Sequence, residues 1–232
     1  FVVGTASGFV LTSADGTNWT LRETAAINPI IDVIQSQTHE YFYANSKFVA
    51  VGYDGVILTS SDGTSWDSRT SGTTNHLWGV TYGNTKFVTV GDSGTILNSS
   101  DSFSWDNRTS GTTNLLLGII YGNSKFVAVG DNGTILTSSD GTSWDNSTSG
   151  TTEVLRDVTY GNSTFVTVGD SGTILTSTEG NTWTSRTSGT GLSVLGVQYV
   201  NSTFVAVGRG GLILTSADGT TWTSRTTYTS ND

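Results

Sequence analysis

Short apolar runs alternate with polar turns along the whole chain, and they recur with a fixed period. The segment FVAVG, or a close variant, begins at Phe48, Phe87, Phe126, Phe165 and Phe204, each 39 residues after the last. A shorter copy, FVVG, opens the chain at Phe1. A second marker follows the first: Trp66, Trp105, Trp144, Trp183 and Trp222 keep the same 39-residue spacing, with Trp19 as the sixth. Two separate markers holding one period identify a tandem repeat.

Residues 116–149 show what one period predicts. Leu116 to Tyr121 is a strand, A, closed by a Gly-Asn-Ser turn. Phe126 to Val129 is strand B, followed by Asp-Asn-Gly at 131–133. Thr134 to Thr137 is C, then Ser-Asp-Gly-Thr at 139–142, and Trp144 to Ser147 opens D. Asn-Gly and Asp-Gly turns between short β-branched runs are the chemistry of an antiparallel meander. Ile135 and Leu136 are adjacent and both apolar. Neighbouring side chains in a strand face opposite ways, so both faces of the sheet should be covered. About 40 residues and four strands per repeat predict an all-β, six-bladed β-propeller of four-stranded antiparallel blades, one domain over residues 1–232.

The repeat breaks in two places. Trp19 to Phe48 spans 29 residues against 21 elsewhere. IIDV at 30–33 matches LRDV at 155–158, so the extra residues follow Ile34 and lengthen the A–B hairpin over 35–44. Tyr41, Phe42 and Tyr43 fall in that projecting ribbon and become candidates for a partner or self-assembly contact. The chain also begins at strand B of its first unit, so the first blade should lack its innermost strand. With no Met in the sequence, the expectation is that residues precede Phe1.

Composition narrows the function classes. Only 12% of residues are charged, the net charge is −9, and there are 10 Lys plus Arg. Nucleic-acid binding needs a basic stripe, and none is present. No apolar run is long enough to span a bilayer. The absence of Cys removes disulfides and thiolate metal sites. His39 and His76 are the only histidines and have no metal-binding spacing, so no metal or cofactor is expected.

The C–D corners read SADGTNW (13–19), SSDGTSW (60–66 and 138–144) and SADGTTW (216–222). These resemble the Asp-box, or BNR, repeat of sialidases, sortilin-type receptors and secreted bacterial propellers. The whole unit, YGN–FVAVG–GTILTS–DGTSW, resembles the photosystem II assembly-factor propellers. The resemblance implies the propeller fold and leaves the function open, because unrelated activities share it. Asp-boxes usually place one more residue between the Asp and the aromatic. The third corner reads SDSFSW and the fifth TEGNTW, with Glu179 in the Asp place. The corner Asp is expected to accept backbone N–H bonds in its own turn, and the Trp to cover that turn.

The resemblance to sialidases would imply a converging arginine cluster. Arg22, Arg69, Arg108, Arg186 and Arg225 instead all stand three residues after the repeat Trp, as one repeated position. A glycoside hydrolase is therefore a distant alternative, and no catalytic residue is assigned. Asp54, Asp92, Asp131 and Asp170 are read as equivalent B–C turn positions, with Arg209 in the sixth. In a propeller these turns would share one face and form a partial acidic ring for a cation or basic partner. Simple turn chemistry is the competing reading. Trp78 and Arg156 occupy one strand-A position, elsewhere Ile31, Leu117 and Leu195. Trp78 either packs between blades or stacks on a ligand. The resulting expectation is a non-enzymatic extracellular or cell-surface module for a protein or glycan, adhesive or carbohydrate-binding. A filament subunit or assembly scaffold is the alternative.

Overall fold

A computed structural model describes residues 2–5, 7, 9–22, 24, 28–35 and 47–225. The predicted insertion, including Tyr41, Phe42 and Tyr43, lies outside the described residues apart from its first residue, Gln35. The chain divides into two compact units, residues 1–109 and 110–232.

The first unit holds three sheets. One has three strands in sequence order, β1 (Val2–Gly4), β2 (Val10–Thr12) and β3 (Thr20–Arg22). The next has four: β4 (Ile30–Gln35), β5 (Phe48–Gly52), β6 (Ile57–Ser60) and β7 (Asp67–Arg69). Then come β8 (Leu77–Gly83), β9 (Lys86–Gly91), β10 (Ile96–Ser99) and β11 (Asp106–Arg108). The second unit repeats this pattern three times. Its first sheet is β12 (Leu116–Gly122), β13 (Lys125–Gly130), β14 (Ile135–Ser138) and β15 (Asp145–Ser147). Its second is β16 (Leu155–Gly161), β17 (Thr164–Gly169), β18 (Ile174–Ser177) and β19 (Thr184–Arg186). Its third is β20 (Val194–Val200), β21 (Thr203–Gly208), β22 (Ile213–Ser216) and β23 (Thr223–Arg225). All pairings within the sheets are antiparallel. The meander and the shortened first sheet match the sequence expectation. Among the described residues no helix is long and apolar enough to cross a membrane.

The cores lie between successive sheets of a unit. Val127, Val129 and Ile135 pack with Leu155, Val158, Phe165 and Leu175 of the next sheet. Val49, Val51 and Ile57 meet Leu77, Val80, Phe87 and Leu97 in the same way. Ile135 and Leu136 are both buried, so the two faces of one strand are covered as the adjacent apolar pair requires. Each such side chain contributes about 1.5–3 kcal/mol by leaving water. The last sheet shows what the packing is worth. Val207 is 46% exposed, whereas its repeat equivalents Val51, Val129 and Val168 are fully buried against the following sheet of their unit.

Half-buried carboxylates tie first strands together. Asp157 Oδ1 accepts the Val158 N–H at 2.8 Å and Oδ2 accepts the Val197 N–H of the next sheet at 2.8 Å. Asp32 does the same with Val33 and Val80, both at 2.8 Å. Burial pushes the Asp32 carboxyl up, against the pull of those two N–H bonds.

The corners behave as their sequence predicts. Asp62 Oδ1 accepts the N–H groups of Thr64 and Ser65 at 2.7 and 2.8 Å, and Trp66 Nε1 donates to Gly63 O at 3.1 Å. Asp15, Asp101, Asp140 and Asp218 accept the same pair of bonds. These bonds hold the Asp15, Asp62 and Asp218 carboxyls well below the usual carboxylate range and lower that of Asp101. The third corner keeps its shape with Ser102 in the left-handed region (φ 67°), where the other corners have Gly.

Candidate functional site

The B–C turns are tight one-turn 3-10 segments at Tyr53–Gly55, Asp92–Gly94, Asp131–Gly133, Asp170–Gly172 and Arg209–Gly211. Each follows a glycine because another backbone passes close by. A Cβ on Gly91 would sit 2.1 Å from His76 O, so no side chain fits there. The first residue of each turn is then pinned to the start of strand A: Asp92 N–H donates to His76 O at 3.0 Å, and Asp170 N–H to Val154 O at 2.9 Å.

Strand A carries a β-bulge in register with these turns. In β8 the pairing with β9 jumps between Leu77 and Gly79, and in β16 the pairing with β17 jumps between Leu155 and Asp157. The residues skipped are Trp78 and Arg156. A bulge re-aims the extra side chain, here toward the turn 14 residues further on. The same irregularity falls at Leu117, Leu195 and Ile31.

In the first unit Trp78 Nε1 donates to Asp92 Oδ1 at 2.7 Å. Around it stand two more rings. Tyr53 stacks on His76 with centroids 4.3 Å apart and planes 16° apart. Trp78 meets Tyr53 edge-on at 5.6 Å and His76 at 6.2 Å. All three rings are half-buried. His76 Nδ1 accepts the Asp54 N–H at 3.0 Å, and the Asp54 carboxylate lies 3.6 Å from the same nitrogen. Trp78 therefore belongs to a turn-side aromatic cluster rather than to the cores between sheets.

In the second unit the bulge residue is a cation. Arg156 Nε and Nη2 donate to Asp170 Oδ1 and Oδ2 at 2.6 and 2.8 Å, a fork-to-fork pair. That pair holds the Asp170 carboxyl below its ordinary value and raises the Arg156 guanidinium. Asp131 also acts on Arg156, and Arg209 on Asp170.

Two expectations are corrected here. The turns do not form a uniform acidic series, because Arg156 neutralises Asp170. Asp54 is also not equivalent to Asp92, Asp131 and Asp170. It holds the left-handed second position of its turn (φ 54°), alongside Ser93, Asn132, Ser171 and Gly210. Tyr53 takes the first position, its N–H donating to Pro29 O at 3.1 Å as the aspartates donate to theirs. Sequence reasoning missed Tyr53 and His76. Aligning Gly55 with Gly94, Gly133 and Gly172 by the 39-residue period would have placed Tyr53 in line with Asp92.

The repeated arginines do not converge. Arg22, Arg69, Arg186 and Arg225 each donate Nε to a threonine Oγ1 of the preceding strand at 2.7–3.0 Å, and Arg108 to Asn98 Oδ1 at 3.1 Å. A different set of surface clefts lies between strand D, the D–A link and the B–C turn. One, of about 830 Å³, is lined by Trp144, Asn114, Asn132 and Asn146. Its repeat neighbour beside Trp183 measures about 570 Å³.

Six sequential antiparallel sheets of this kind define a β-propeller with the sheets as blades. Solved structures similar to the chain have that fold. YCF48, a photosystem II assembly factor solved bound to D1 peptide, matches with a TM-score of 0.70 at 18% identity over 96% of this chain and 76% of its own. YCF48 from Cyanidioschyzon merolae matches at 0.69 with 20% identity, over 96% of this chain and 80% of its own. The computationally designed Ika8 protein matches at 0.67 with 12% identity, over 91% of this chain and 69% of its own. No family model and no curated protein matches the chain.

Proposed function

We propose that this chain is a non-enzymatic interaction module that holds a segment of a partner protein on the turn side of its first unit, at Tyr53, His76 and Trp78. The observation that carries this reading is the Tyr53–His76–Trp78 cluster: three half-buried rings beside two carboxylates, at a position the second unit closes with an ion pair. Aromatic side chains with a polar handle are favoured contact residues because they bury large area at little entropic cost. YCF48, of the same fold class, has been solved with a bound peptide. The absence of turnover is supported by the arginines, each engaged within its own sheet. Placement outside the cell or at its surface is supported by the low charge and the many Ser, Thr and Asn residues.

A second reading takes a glycan as the ligand. The clefts beside Trp144 and Trp183 favour it, since each combines an indole with Ser, Thr or Asn side chains. Selection of a displayed random-peptide library on the full chain, repeated on Trp78→Ala, tests the first reading. Enriched peptides should bind the variant at least about tenfold more weakly, as loss of a central aromatic anchor predicts. Enrichment indifferent to Trp78, or none, overturns it. Glycan-array binding that survives Trp78→Ala moves the function to the second reading.

A further inference from the structure

We infer that the Trp78 cluster receives a cationic side chain, a guanidinium or an ammonium, presented by the partner segment. This rests on the peptide-binding reading of the same site and adds the chemistry of what enters it.

Trp78 and Arg156 stand at the same bulge and reach the same turn position, so they form a natural pair for comparison. Arg156 uses both oxygens of Asp170 and cancels its charge. The Trp78 indole reaches one oxygen of Asp92 and brings no charge. The Asp92 carboxylate therefore stands next to an aromatic surface with a neutral donor where Asp170 has a guanidinium. Asp54 adds a second carboxylate, 59% exposed. The Asp54 N–H donates to His76 Nδ1 at 3.0 Å, which fixes the imidazole beside the Tyr53 ring. The site thus combines three half-buried aromatic rings with two carboxylates, neither of them paired with a Lys or Arg among the described residues. A cation is attracted to the face of Trp or Tyr, and a nearby carboxylate supplies the matching charge. The net charge of −9 draws cationic groups to the chain as a whole.

The test uses two blocked tripeptides, acetyl-Gly-Arg-Gly-amide and acetyl-Gly-Gln-Gly-amide, titrated into the full chain. The readout is the indole N–H resonance of Trp78, identified by its loss in Trp78→Phe. The Arg peptide should move that resonance to saturation, and the Gln peptide should not. Asp92→Asn keeps an acceptor for the indole and removes only the charge, so it should weaken the Arg peptide about tenfold. No saturating shift with the Arg peptide, an equal shift with the Gln peptide, or full affinity in Asp92→Asn overturns the proposal. Trp78-dependent library peptides without Arg or Lys would overturn it and leave the peptide-binding reading standing. A saturating Arg tripeptide with no Trp78-dependent library peptide would do the reverse.

Discussion

The two units solve one local problem with different side chains. In both, a bulge in strand A turns a residue toward the first position of the following B–C turn, where an aspartate waits. In the second unit that residue is Arg156, and the pair closes on itself with two short charge-assisted bonds. In the first unit it is Trp78, and the bond to Asp92 is one neutral donor on one oxygen. The preceding turn differs as well, with Tyr53 and His76 stacked where the second unit has Asp131 and Val154. Backbone geometry thus sets where a functional side chain points, and the residue at the bulge sets whether the place is sealed or open. Repetition supplies the frame, and departures from the repeat supply the chemistry.

The largest effects should fall on the shared frame. Asp32→Ala and Asp157→Ala each strand a main-chain N–H of the next sheet, at Val80 and Val197, and should each cost about 2–4 kcal/mol. Denaturant midpoints that differ widely between the two would break the premise that both units share one frame. Arg156→Met comes next. It leaves Asp170 charged and unmatched, and should cost about 1–2 kcal/mol after discounting for the partial exposure of both groups. Trp78→Phe loses a single neutral-donor bond and should cost only about 1 kcal/mol. A thermal scan that reverses this order would contradict the contrast between a sealed and an open site.

The smallest effect per group belongs to the exposed corner carboxylates, common to both units. Their folded values lie below the unfolded ones, so the stability they add is present above the ordinary carboxylate range and is lost as pH falls through about 4 and below. Asp32 has the opposite sign: its raised value favours the neutral form, and its contribution fades as pH rises through that value. The melting temperature should fall in acid. Constancy between pH 5 and pH 3 would remove the corner account.

Much of the frame could be read from residues alone. The Phe and Trp markers located every sheet, and the Asp–Gly corners announced their own hydrogen bonds. The site was legible only in part. Trp78 and Arg156 stood out because they differ from Leu117 and Leu195, but nothing in a strand pattern announces a bulge, which depends on pairing with a second strand. Asp54 misled because an Asp-Gly pair looks the same in any turn. Its place is fixed by how far the chain has run from Gly52, a spacing that only the turn geometry makes meaningful. His76 carried no motif at all, since its role comes from stacking on a ring 23 residues away in sequence.

The most direct test converts the open site into the sealed one. Trp78→Arg places beside Asp92 the same side chain that closes Asp170. The expected result is a folded protein, stable to denaturant within about 1 kcal/mol of the parent, that no longer binds the library peptides selected on the parent chain. Undiminished binding of those peptides by Trp78→Arg would contradict it.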